Sequence, residues 1–220
     1  MKRILSVLCA VMLIVVSSHA ESDKKNDLAV NVGLWSAPAL VVQTSQILLE
    51  MTSLKGKIDI ADTKYYGNYG LTYHHQTKWW MRVGVKLKYE FMGFDVNCTD
   101  PEATPYIGQR AYLGTSKTHM CQAMASLQFT YLNTTWVKLY SGLDLGLGVA
   151  VWDKKISDDP KVRSYYEKQD IDIKEGVDPH FFPAFDLTVL GLNVGKTVYG
   201  LVEINLGTDA LLLAGLGVHF

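Results

Sequence analysis

From Trp79 to Met92 the chain alternates with a period of two. Trp79, Met81, Val83, Val85, Leu87, Tyr89 and Phe91 take one parity, and Trp80, Arg82, Gly84, Lys86, Lys88 and Glu90 take the other. A strand points successive side chains to opposite faces, so this pattern predicts a strand with one greasy and one polar face. Residues 137–151 repeat it, with Val137, Leu139, Leu143, Leu145, Leu147, Val149 and Val151 set against Lys138, Tyr140, Gly142, Asp144, Gly146 and Gly148. Weaker alternation runs over Leu28 to Leu34, Tyr65 to Tyr73, Cys121 to Tyr131, Phe181 to Val189, Val198 to Leu206 and Leu212 to Phe220. Eight strands in all are expected.

Period alone does not say which face is outermost, since a soluble lipocalin-like barrel would alternate in the same way with its apolar face inward. Three features favour apolar-out. The polar parity carries Gly33, Gly70, Gly84, Gly142, Gly146, Gly148, Gly215 and Gly217, where a water-facing surface would favour Lys, Glu or Thr. The five tryptophans, Trp35, Trp79, Trp80, Trp136 and Trp152, fall near predicted strand ends, as aromatics do at the two interfaces of a bilayer. The connections are also unequal. Those at His74 to Lys78, Leu132 to Thr135 and Asn193 to Thr197 are tight, while 36–64, 93–119 and 152–179 are long; of the outer loops only Gly207 to Ala210 is short. The expectation is an all-β fold: an eight-stranded antiparallel up-and-down transmembrane β-barrel with short periplasmic turns and longer extracellular loops.

On a lipid face near mid-depth Arg82, Lys86 or Lys88 would each cost roughly 2–4 kcal/mol, so these side chains are assigned to the lumen. There Arg82, Lys86, Lys88 and Lys138 meet Glu90, Asp144, Asp186 and Glu203, four of each sign, and a neutral polar plug is expected. Eight strands enclose a space that side chains nearly fill, so no diffusion channel is anticipated.

Lys2 and Arg3, the apolar run Ile4 to Val16 and the close Ser18-His19-Ala20 read as a secretory signal over residues 1–20, leaving a barrel domain of 21–220 exported to the bacterial outer membrane. Removal of the signal leaves 19 basic against 22 acidic side chains, a net charge of −3 and no basic field for nucleic acid. No later stretch is long and apolar enough for a membrane helix. Of the three cysteines Cys9 lies in the signal, and Cys98 and Cys121 form a disulfide candidate at the ends of loop 93–119. No Cys or His cluster has metal-ligand spacing, and no cofactor is called for.

The closing segment LAGLGVHF resembles the carboxy-terminal signal read by the barrel assembly machinery, with Gly215, apolar Val218 and terminal Phe220; Leu213 replaces the polar residue usual at its start. Together with NVGLWSAPALVV, YYGNYGLTY, the tight turn before Lys78-Trp79 and GLNVGKTVYGLVEINLG, the chain resembles the small outer-membrane barrel proteins common in Bacteroidetes, with an OmpX/OmpA-like outline. The resemblance implies a location, with outer-membrane lipid and the assembly machinery as partners, more firmly than an activity.

Function is then expected at the loops. Residues 39–51 carry a helical apolar stripe, Leu40, Thr44, Ile47 and Met51 with Val41 and Leu48, suited to a lipid surface or another subunit; the alternative is an extension of the first hairpin. Loop 152–179 is charged, with Tyr165 and Tyr166, and its default reading is a solvated loop. The leading expectation is a non-enzymatic barrel serving envelope structure or surface recognition. The alternative is a lipid-modifying enzyme of the lipid A acyltransferase or deacylase type, for which His119, His180, Ser116 and Asp178 are the candidate residues, though they form no recognisable motif. His74 and His75 are expected to face water at a periplasmic turn, and Asn97-Cys98-Thr99 and Asn133-Thr134-Thr135 would accept glycans only in a eukaryotic secretory setting.

Overall fold

The computed structural model of the chain describes residues 25–36, 58–98, 111–160, 164 and 176–220. The strands are β1 (Asn26–Ser36), β2 (Ile58–Lys78), β3 (Met81–Cys98), β4 (Ala111–Asn133), β5 (Val137–Ile156), β6 (Gly176–Gly195), β7 (Val198–Gly207) and β8 (Ala210–His219). Each pairs antiparallel with its sequence neighbour, and β8 returns to β1 along a seam running from Asp27 opposite His219 to Ser36 opposite Ala210. The ring is closed, so the expected eight-stranded barrel is present and no strand along that seam leaves its backbone groups unpaired. The signal segment 1–20, the apolar segment 39–51 and most of the charged loop, Tyr165 and Tyr166 included, lie outside the described residues.

Three hairpins close tightly at one end, through Trp79-Trp80, Thr134–Trp136 and Lys196-Thr197. Thr134 shapes its turn by pairing with Val137 through both main chain and side chain, its N–H and hydroxyl donating to the Val137 carbonyl at 3.0 and 2.9 Å. Gly195 enters its turn with φ of 144°, a conformation that side chains rarely adopt. Trp79 and Trp80 are turn residues rather than the start of the third strand.

Polarity sorts by parity as the pattern demanded. Val83, Val85, Leu87, Leu143, Leu145 and Leu147 are exposed on the outside of the barrel, while Arg82, Lys86, Lys88, Asp144 and Asp186 are buried within it. Glycine appears where the wall must approach an interior side chain or a neighbouring strand. A Cβ at Gly84 would lie 1.9 Å from the Tyr73 carbonyl oxygen, and one at Gly146 would lie 1.9 Å from that of Ala123.

The strands are longer than alternation suggested. β2 to β6 run 18–23 residues, against 10 or 11 for β1, β7 and β8. Much of what read as loop at 36–64, 93–119 and 152–179 is therefore strand. Above the level at which β1 leaves β2 (Gly33 opposite Asn68) and β7 leaves β6 (Gly207 opposite Asp186), a five-stranded wall continues alone. Beyond His119 it projects some eight residues, about 27 Å along the strand. Alternation failed to reveal it because both faces of the wall mix polar with apolar residues.

A free sheet edge invites strand addition, and the β6 edge carries a block against it. Phe185 exchanges main-chain bonds with Thr208 on the β7 side, accepting at 2.8 Å and donating to its hydroxyl at 3.2 Å. Pro183 and Pro179 share that parity, so their missing N–H groups fall on the open edge, where an incoming strand finds no donor at those two positions. The β2 edge is broken by register shifts between Ala61 and Lys64 and between Tyr65 and Gly67.

Gly146→Val and Gly84→Val should each prevent or severely destabilise folding, by more than the roughly 1–3 kcal/mol of ordinary overpacking, because the added Cβ meets main chain. Gly200→Ala, with nothing within 4 Å, should be neutral. The urea midpoint in detergent micelles is the measurement.

Candidate functional site

The interior is organised around one ammonium. Lys86 comes from the middle of β3 and forms an ion pair with Asp144 of β5; its Nζ also lies 3.5 Å from Asp186 of β6, 3.9 Å from Glu203 of β7 and 4.0 Å from Asp209 in the turn after β7. Lys88, one inward position further along β3, pairs with Asp209 at 2.6 Å and donates to the Asn31 carbonyl at 3.0 Å. Asn68 donates to the other Asp209 oxygen at 3.0 Å. Two cations on one strand thereby tie β3 to elements on the far side of the barrel.

Towards the tight-turn end a second group forms about Asp27. Arg82 forms an ion pair with it, and ring nitrogens of His74 and His219 stand 3.5 and 3.9 Å away. Lys138, half-buried, lies 3.3 Å from His219. His74 also meets the Ser126 hydroxyl at 2.8 Å; it is buried, against the expectation that it faces water, while His75 is exposed. The reason is parity: His74 is on the inward face of β2 two positions beyond Thr72. Between the two groups Tyr140 donates to Glu203 at 2.7 Å, and its hydroxyl lies 3.2 Å from Asn193 Oδ1. A cavity of about 10 Å³ there, lined by Glu203, Tyr140, Asp27 and His74 among others, has room for a single water.

All eight residues of the expected charge network, Arg82, Lys86, Lys88, Glu90, Lys138, Asp144, Asp186 and Glu203, are inside, but they do not form one balanced set. Asp27 and Asp209 join them, so among the described residues six interior carboxylates stand against Arg82, Lys86, Lys88 and Lys138, and the formal charges do not balance. Asp27 escaped because the first strand begins earlier than its alternation, and Asp209 because a turn residue has no parity to read. Glu90 also stands apart: it accepts from the Ser36 hydroxyl and the Asn68 amide, and no cation of the described residues forms an ion pair with it. Above the charges an apolar layer, Met92, Met120 and Ala150 with Tyr65 and Phe182 packed on it, covers the wall's inner face.

Outside, two aromatic rings bound the apolar band. Trp79, Trp80, Phe129, Tyr131 and Trp136 lie at the tight-turn end, where Trp80 stacks on Phe129 with centroids 6.1 Å apart and Lys78 stands 5.4 Å over Trp80. Tyr69, Tyr89, Phe91 and Phe181 mark the other level. Between them no Asp, Glu, Lys or Arg of the described residues faces outward. Above the upper ring the outer face turns polar, with Asp95, Lys117 and Asp153. Trp152 does not belong to either ring. It takes the parity of buried Ala150 and packs against His180 on the wall's inner face, centroids 4.6 Å apart. The side chain of Trp35 is outside the described residues.

The disulfide expectation is corrected. Cys121 is free and exposed, opposite Tyr89, whereas the Cys98 backbone lies opposite Ala111. Nine positions along β3 separate Tyr89 from Cys98, about 30 Å at a strand's rise, while a disulfide needs Cα atoms within roughly 7 Å. The two cysteines looked adjacent because 93–119 was taken as loop, whereas β4 begins at Ala111 and runs ten residues before it reaches Cys121.

The candidate catalytic residues do not assemble. His119 is on the outer face, stacked on Phe91 at 4.3 Å and within 2.8 Å of the Tyr89 hydroxyl, whereas Ser116 has the inward parity and His180 packs on Trp152. Asp178 has no described side chain. In the closing strand Gly215 faces in, where a Cβ would meet the Val30 carbonyl at 2.3 Å; Val218 pairs with Leu28 and Val198, and Phe220 exchanges main-chain bonds of 2.9 Å with Asn26.

No family model matches the chain, and no curated protein does. Among solved structures the chain is similar to the N-terminal β-barrel domain of Pseudomonas aeruginosa OprF, at 10% identity and a TM-score of 0.39, covering 90% of this chain and 97% of that one. It is likewise similar to Ail, the attachment invasion locus protein of Yersinia pestis, solved with the heparin analogue sucrose octasulfate: 12% identity, TM-score 0.39, covering 89% and 97%.

Lys86→Met should cost about 3–5 kcal/mol, because it strands buried carboxylates without their shared cation. Lys117→Met, on the exposed outer face of the wall, should change stability by no more than about 0.5 kcal/mol. Urea unfolding of both variants in the same micelle measures the contrast.

Proposed function

We propose that this chain is a bacterial outer-membrane barrel that conducts no solutes and presents its five-stranded wall at the cell surface for recognition. The observation that carries the reading is the uncharged outer band between two aromatic rings, surmounted by a wall whose outer face becomes polar. From Met81 to Phe91 are ten residue steps, about 34 Å along the strand. At a tilt of about 40° this is a height near 26 Å, against an apolar band of ≈ 25 Å in outer-membrane barrels. The wall then stands in water beyond the outer leaflet, and the tight turns lie in the periplasm.

Recognition is assigned to the faces of the wall. The prolines of β6 and the register shifts of β2 disfavour partners that would add a strand at its edges. The inner face offers Trp152 and His180 above an apolar layer, and the outer face alternates the charges of Asp95, Lys117 and Asp153. Envelope structure without a soluble partner is the competing role for the same barrel.

Purified monomer in planar bilayers should show no conductance above background; a stable ion current would defeat the closed lumen. Spin labels at Val85 and Leu145 should report acyl chains, and a label at Lys117 should report water. For the role itself, the protein in nanodiscs is screened against extracellular proteins and glycans beside a variant in which residues 93–117 are replaced by a short turn. A ligand held by the complete wall and lost by the shortened one supports recognition. No ligand, or equal binding by both, refutes it.

A further inference from the structure

At the upper aromatic level three rings lie face to face across three strands. Tyr66 of β2 stacks on Phe91 of β3 with centroids 4.5 Å apart, and Phe91 stacks on His119 of β4 at 4.3 Å, each pair 14° from parallel. The register shift between Tyr65 and Gly67 allows this. Gly67 takes φ of 114°, and the irregularity sends Tyr65 to the apolar layer inside while Tyr66 stands exposed outside. The Tyr89 hydroxyl fixes the imidazole, lying 2.8 Å from its Nδ1. A hydroxyl that donates to Nδ1 leaves the ring's proton on Nε2, so the histidine offers an N–H donor from a fixed ring.

Just above this shelf the outer face changes character. Gly93 is the next outward position after Phe91 on β3; Lys117 stands opposite it on β4, and Lys64 holds the matching register position on β2. Two lysine positions thus bracket a residue without a side chain. A Cβ on Gly93 would lie 3.8 Å from both the Lys117 Cγ and the Tyr66 Cε2, so the stem of Lys117 lies beside the glycine and the shelf. Asp153 faces Lys117 from β5, and Asp95 is the next outward position beyond Gly93. Neither holds Lys117 in an ion pair among the described residues.

The height of the patch matters as much as its chemistry. Lys117 is two residues beyond His119, about 5 Å higher at a strand tilt of about 40°. Interfacial aromatic rings sit at headgroup level, so a lysine one outward position above them meets the layer where lipid phosphates lie. Below the shelf the outer band carries no Asp, Glu, Lys or Arg among the described residues, and the patch is therefore continuous with the lipid-facing surface.

We propose that Lys117 and His119 form a binding site for the phosphate group of an outer-leaflet lipid, the Lys117 ammonium pairing with the phosphate and the His119 Nε2–H donating to it. Donors that face an ionised acceptor make the stronger, charge-assisted class of hydrogen bond, and basic pockets at a membrane surface select lipids by their headgroups in this way. The stacked rings beneath then face the start of the acyl chains. This site rests on the membrane placement proposed above and adds a lipid class to it.

Protein in alkyl maltoside micelles is titrated with a short-chain phosphatidic acid, with a digalactosyl diacylglycerol of equal chain length, and with inorganic phosphate. Native mass spectrometry counts bound lipid, and the imidazole signals of isotope-labelled His119 report the site. Phosphatidic acid should move those signals saturably with one molecule per chain, and the galactolipid should not. Lys117→Met and His119→Leu should each weaken the apparent affinity at least about tenfold, and Lys117→Arg should keep it; the lysine variants serve where His119→Leu disturbs the stack. Equal response to the galactolipid, or variants that bind as the parent does, would overturn the proposal. Inorganic phosphate that binds as tightly as the lipid would overturn it too, since the site would then serve a free anion. Spin labels at Val85 and Leu145 in the same micelles separate the two readings: acyl-chain contact without headgroup preference defeats this site alone, and water contact defeats the membrane placement and the site together.

Discussion

Closing eight strands into a ring sets the bore, and the bore sets everything inside. With β8 paired to β1 along its length, the interior is narrow enough for side chains to meet across the axis. Every polar group that alternation sends inward must then find a partner among the other seven strands. Lys86 shows how demanding this is: one ammonium reaches carboxylates on β5, β6, β7 and the turn after β7. The same narrowness explains glycines such as Gly84, Gly146 and Gly215, where a Cβ would strike the neighbouring strand's main chain.

The interior is layered along the axis. The Asp27 group lies nearest the tight turns, the Lys86 and Lys88 pairs occupy the middle, and an apolar layer of Met92, Met120 and Ala150 lies towards the wall. Each charge group joins strands remote in sequence, so the plug acts as a set of cross-braces within a shell whose own contacts are between neighbours. Among the described residues carboxylates nevertheless outnumber cations, and Glu90, towards the wall, is held by the Ser36 hydroxyl and the Asn68 amide rather than by an ion pair.

The wall is a second consequence of strand length. Once β1, β7 and β8 stop, β2 to β6 lose their closure and regain two edges, the hazard that the ring had abolished. Pro179 and Pro183 meet that hazard on one edge, and shifted register meets it on the other. A sheet so protected resists strand addition at its edges, and its chemistry lies on its faces.

The two-residue period and the inward charges were legible in the sequence because a strand's alternation is local: each residue's face follows from its neighbours' faces. The eight strands and the division of each into an apolar and a charged face come from that rule, while the glycines of the polar parity, the tryptophans at strand ends and the unequal connections said which face is outside. Register is not local. How far β3 and β4 continue before they turn decided that Cys98 and Cys121 lie far apart, and that His119 and Ser116 occupy opposite faces. It was tertiary closure, too, that brought Asp209 from a turn to Lys88 and Asp27 to Arg82, while leaving Glu90 without a cation, because only the completed ring determines which side chains share the same height across the axis.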